Sequence, residues 1–159
     1  MIRNKRAQIA IEYIIFIAIF LLFFQSILLP STQFSENVVT DVFNLTQTKE
    51  NIDLLADNIT GFSNSSGFGK RTVYFYLPVT SKIVGCDSTT KKITYEVMIS
   101  SQNPKPAIAN CDNDTSICTF EKILYIGDSN ISCDSIGPGF GGYITIEKNE
   151  TTGDIDVFV

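Results

Sequence analysis

The chain contains no histidine and no tryptophan, and only 18% of it is charged. The missing histidine removes the commonest general base, and with it any His-bearing triad or imidazole-ligated metal. Positive charge is scarce too: 12 Lys+Arg stand against 17 Asp+Glu, for a net charge of −5. An acidic chain without a basic patch is a poor neutraliser of phosphates, so nucleic acid is not an expected partner. The carboxylates are scattered rather than paired. Neither of two faint site motifs holds. Gly67, Gly69 and Lys70 suggest a phosphate loop, but Arg71 stands where Ser or Thr should follow the lysine. Asp112, Asn113 and Asp114 suggest a calcium loop, but Ile117 and Ile123 stand at the sixth and twelfth positions, where Gly and Glu belong. A solvated acidic loop is the simpler reading there, with an irregular cation site as the alternative. No enzyme activity and no cofactor are expected.

What the chain does have is a long apolar run. Residues 14–24 hold no polar side chain, and after Gln25 and Ser26 three more apolar residues lead to Pro30. As a helix, residues 9–29 would extend about 31 Å, enough to cross the hydrocarbon core of a bilayer. Arg3, Lys5 and Arg6 precede this rod, so the N-terminus should stay in the cytoplasm and the rest should be outside. A cleaved secretory signal wants a shorter core and a small-x-small site after it; here Leu28, Leu29 and Pro30 follow. A plain membrane anchor explains the length and flanks but not Glu12, since a carboxylate inside a spanning helix is costly.

The run of a short basic head, Ala7, Gln8, then Glu12 inside an apolar helix resembles the class III signal of archaeal type IV pilins. The resemblance covers roughly the first 30 residues, with Ala7 in place of the commoner Gly and with Ala10 and Phe16 where Ser and Leu are frequent. It implies removal of a leader, residues 1–7, by a membrane prepilin peptidase cutting between Ala7 and Gln8. It implies assembly by an ATPase and membrane platform into a helical polymer of itself or with other pilins. It also implies that Glu12 pairs with the new amine of Gln8, in its own chain or a neighbour's. The precursor would sit in the cytoplasmic membrane, and the mature protein on the cell surface as a filament. Loss of Arg3, Lys5 and Arg6 would take the charge from −5 to −8. A membrane-anchored or filament-tip adhesin is the alternative function.

Past Pro30, which should kink the rod, the pattern changes. Phe34, Val38, Val42, Leu45, Ile52, Leu55 and Ile59 fall near one helical face. The expected layout is a leader 1–7, an apolar transmembrane or filament-core helix 8–29, an amphipathic continuation 30–60, and a disulfide-bonded β-rich head 61–159. Glycine and serine between residues 61 and 69 should end the helix. Alternation then predicts strands at 72–77, 93–99 and 117–126, and a closing hairpin from 143–147 and 155–159. One long helix packed on an antiparallel sheet of five or six strands is an α+β fold. Phe16, Phe20, Phe23 and Phe24 form an aromatic stripe read as helix packing.

Cys86, Cys111, Cys118 and Cys133 all lie beyond the rod. An even count in an exported domain reads as two disulfides, and the spacing lacks the close pairs of a zinc site. Three pairings are open; the short loop favours Cys111–Cys118 with Cys86–Cys133. Asn44, Asn58, Asn64, Asn113, Asn130 and Asn149 each begin an N-x-[ST] sequon, six of the eleven asparagines. All lie beyond the rod, where they are candidates for N-glycosylation.

Overall fold

The computed structural model describes residues 3–100, 110–112 and 114–159. One helix, α1 (Arg3–Ser63), is followed by eight strands: β1 (Gly69–Tyr76), β2 (Ser81–Asp87), β3 (Lys92–Met98), β4 (Asn110–Cys111), β5 (Ile117–Ile123), β6 (Ile131–Cys133), β7 (Gly141–Lys148) and β8 (Ile155–Phe158). The chain divides into two compact units, Met1–Val39 and Thr40–Val159.

The first unit is helix alone. Its residues from 9 onward are exposed except Val38, which is half-buried. The hydroxyls of Ser26, Thr32 and Ser35 donate to the carbonyls of Phe23, Leu29 and Ser31 at 2.8, 3.0 and 3.0 Å. Each of these three hydroxyls is thereby satisfied by its own helix. Pro30 lies inside the helix. Its ring removes one backbone donor, the one that would serve the Ser26 carbonyl.

In the second unit the lower helix lies on the sheets. Ile52, Leu55, Ala56 and Ile59 are buried against strand residues that include Phe75, Ile93, Val97, Ile144 and Ile155. The α+β layout is the one expected. Two four-stranded sheets take the place of one: β1-β7-β8-β6 and β2-β3-β5-β4. All pairs are antiparallel except β6 with β8, which run parallel. The edge strand β2 meets the segment just after β6 through an isolated bridge, where Ile83 and Ile136 exchange N–H···O bonds of 2.9 and 3.0 Å. The strongly alternating strands fall where the pattern put them, and β7 and β8 form the closing hairpin.

Three details differ from the pattern. Strands β2, β4 and β6 were absent from it; in β2 a register shift between Ile83 and Gly85 breaks the alternation, and β4 and β6 are only two and three residues long. The helix runs on through Gly61 to Ser63. Phe62 still packs on the core there, and Lys148 Nζ donates to the carbonyls of Ser63 and Ser65, both at 2.7 Å. That ammonium serves carbonyls which the helix end leaves without partners. Finally, the apolar stripe is covered only in part. Phe34 and Val42 are exposed, Val38 and Leu45 half-buried, and full burial starts at Thr48.

Candidate functional site

The rod is the first feature with a chemistry. From Ile9 to Leu29 every large apolar side chain of the helix is exposed, Phe16 at 68% and Phe24 at 51% among them. The helix is long and apolar enough to cross a membrane. Monomeric soluble proteins rarely expose a continuous apolar surface of this size. Phe20 and Phe24 stack with ring centroids 5.9 Å apart. Ala7 and Gln8 fall in the first turns of this helix, and Glu12 is exposed on it. Met1, Ile2, residues 101–109 and Asn113 lie outside the described residues.

The cysteines are all paired. Cys111 and Cys118 are direct cross-strand partners on β4 and β5 and form one disulfide. Cys86 on β2 and Cys133 on β6 form the other. The second bond therefore joins the two sheets beside the Ile83–Ile136 bridge, at the seam beneath which no strand pairing runs continuously. Among the described residues no group of three or more His, Cys, Asp or Glu is placed to hold a metal. The acidic loop at Asp112 is a local turn, in which its carboxylate accepts from Asp114 N at 3.0 Å and Thr115 Oγ1 at 2.7 Å.

An open groove of ≈ 780 Å³ lies between the helix and the β3–β5 pair, with Lys49, Asp53, Tyr95, Phe120 and Lys122 in its lining. Tyr95 and Phe120 stack at 5.4 Å, and Lys122 Nζ pairs with Asp53 Oδ1 at 2.5 Å. Burial, and then the Asp53 charge, push the Tyr95 hydroxyl above its usual pKa. The bond to Asp53 is the leading cause that raises Lys122. Both shifts hold the protons of Tyr95 and Lys122 in place at neutral pH.

The outer face of β1 and β7 carries a feature that strand periodicity hides. Tyr74 and Tyr143 are paired in register, exposed at 58% and 68%, and packed edge to face at 5.6 Å. Tyr76 stands on the same face opposite Gly141. Aromatic residues at outward positions of a strand were the available signal.

The sequons differ in setting. Asn44 and Asn58 are half-buried on the helix, and Asn64, Asn130 and Asn149 are exposed in loops. No family model, no curated protein and no solved structure matches this chain.

Proposed function

We propose that this chain is a structural subunit of an archaeal type IV pilus-like surface filament, assembled through its apolar N-terminal helix. The observation that carries the reading is the pairing of two unlike surfaces on one helix. The large apolar side chains of residues 9–29 are exposed all round, whereas Ile52, Leu55, Ala56 and Ile59 are buried by the chain's own sheets. A rod of the first kind exchanges lipid contacts for contacts with identical rods at little hydrophobic cost. Contacts of that kind that do not close on themselves build a helical fibre.

On this reading the precursor sits in the cytoplasmic membrane with its basic head inside. A prepilin peptidase removes residues 1–7, and an assembly ATPase with its platform moves the rod into the filament, with copies of itself or other pilins as neighbours. Glu12 becomes buried among rods, where a carboxylate needs a partner, and the Gln8 amine supplies it. The two disulfides suit a head that works outside the cell. The N-terminal residue of the protein recovered from the cell surface tests the reading: Gln8 is expected, and Met1 there would overturn it.

The exposed Tyr74, Tyr76 and Tyr143 face favours a second reading, an anchored or filament-tip adhesin. Tyrosine gives large rigid contact area at low entropic cost. Retention of Met1 on a ligand-binding surface protein would select it.

A further inference from the structure

We propose that Asn149, among the described residues, receives an N-linked glycan, and that the helical sequons at Asn44 and Asn58 do not. The inference rests on the exported head of the reading above. It is carried by the geometry of the carboxamides.

Asn149 stands at the tip of the β7–β8 hairpin, where residues 149–152 are exposed. Its Oδ1 accepts from Thr151 N at 2.8 Å and from Thr152 N at 3.3 Å. A backbone N–H can only donate, so the oxygen is fixed on the turn and Nδ2 is the atom left on the other side. Among the described residues Nδ2 of Asn149 makes no hydrogen bond. The turn that holds it is complete without the side-chain nitrogen. Asn149 N donates to Asp154 O at 2.9 Å and Gly153 N to Asn149 O at 3.0 Å, and Gly153 takes the positive φ of 74° that closes the loop. Thr151, the third residue of the sequon, is exposed beside it. A bulky modification at this tip displaces no packed atom.

The other sequons among the described residues hold their asparagines differently. Asn58 Nδ2 donates to the Leu54 carbonyl at 2.8 Å, one turn back on the helix. Asn44 is half-buried in the same helix, and its own carbonyl accepts from Thr48 Oγ1 at 2.7 Å, so the backbone there is held out of a turn. Asn130 Nδ2 donates to the Asp154 carboxylate at 3.0 Å. Asn64 Nδ2 reaches the Tyr125 carbonyl at 3.4 Å, the weakest of these bonds.

The step is a glycosyl transfer from a lipid-linked glycosyl phosphate or diphosphate. The C1–O bond to phosphate breaks and a C1–Nδ2 bond forms. The lipid phosphate leaves with the electron pair, and the amide proton passes to a base of the transferase. The nitrogen that reacts must be reachable on a chain segment that a transferase can enter, a condition that Asn149 meets in its exposed turn and that Asn44 and Asn58, half-buried on the helix, do not.

Peptide mapping by mass spectrometry of the full-length protein from its native cell surface tests this. A glycan mass on the Asn149 peptide is expected, with the Asn44 and Asn58 peptides bare. Asn149→Gln and Thr151→Val should each lose that mass, and Thr151→Ser should keep it. An unmodified Asn149, or a glycan on Asn44 or Asn58, overturns the inference. Bare Asn149 on protein that begins at Gln8 defeats this inference alone and leaves the filament reading standing.

Discussion

Thr48 Oγ1 and Ser81 Oγ lie 2.5 Å apart, joining the helix to β2 inside the core. Thr48 already donates to the Asn44 carbonyl at 2.7 Å, so the Ser81 hydroxyl is the donor in the pair. Both residues are buried, at 0% and 2% exposure. Thr48→Val therefore strands a buried donor on Ser81, at a cost of about 1–3 kcal/mol. Ser81→Ala leaves Thr48 with its own donor satisfied and should cost less. Urea unfolding midpoints of the two variants check the order; a larger loss from Ser81→Ala would reverse the donor assignment.

The two disulfides should contribute unequally. Cys86–Cys133 spans 47 residues and Cys111–Cys118 spans 7. Loop-closure entropy then gives about 4 kcal/mol to the first and about 2 kcal/mol to the second. The first bond also joins the two sheets, whereas β4 and β5 remain paired without the second. Replacing Cys86 and Cys133 by Ser should lower the melting temperature more than replacing Cys111 and Cys118. Equal losses would contradict the seam role of the longer bond.

Acid should loosen two turns. The Thr90 hydroxyl, with help from the Thr89 N–H, holds Asp87 below its ordinary pKa of 3.8. Thr152 and the Asn130 amides do the same for Asp154. A carboxylate whose folded pKa is depressed contributes stability above its unfolded pKa, and that stability is lost as pH falls through the folded value. Melting temperature should thus be insensitive to these groups at neutral pH and should fall below about pH 3.8, the starting value for both. Asp87→Asn and Asp154→Asn should flatten that fall. Unchanged acid slopes in both variants would remove these turns from the account.

What could be read in the sequence was what local pattern dictates. Val73 and Phe75, or Ile93, Tyr95 and Val97, alternate strictly and became strands. The apolar rod needed only length and composition. Three features needed the third dimension. The bulge at Ile83 and Gly85 breaks the period that would have disclosed β2. The parallel β6–β8 pair joins residues far apart in the chain, with no turn to announce it. The exposure of Val42 on the stripe depends on where the sheets stop, which periodicity does not encode. For the candidate sites, a sequon marks every eligible asparagine alike; the exposed hairpin turn and the hydrogen bonds separate Asn149 from the half-buried, helical Asn58.

Glu12→Ala should insert into membrane at least as well as the parent, because a charge in an apolar helix opposes insertion. Assembly should be lost or sharply reduced, since the proposed amine pairing also sets the register between rods. Membrane fractionation reads the first effect and electron microscopy of the cell surface the second. Filaments of normal number and length from this variant would sink the proposed role of Glu12.

The division of labour along the helix makes the last prediction. The head unit starts at Thr40, and the sheets bury the helix from Thr48 on. A chain cut near Pro30 keeps Phe34, Val39, Val42 and Phe43, all exposed, and should self-associate weakly. A chain cut at Thr40 loses Phe34 and Val39 and keeps the whole core, so it should be the better-behaved soluble monomer. The chain beginning at Gln8 retains the rod, which no orientation can present to water as a polar face, and should polymerise or require detergent. Sedimentation velocity of the three chains, expressed where disulfides form, should show association rising from the chain cut at Thr40, through the one cut near Pro30, to the one beginning at Gln8. If the chain from Thr40 itself builds filaments, the contacts that make the fibre lie in the head, and the apolar rod is only an anchor.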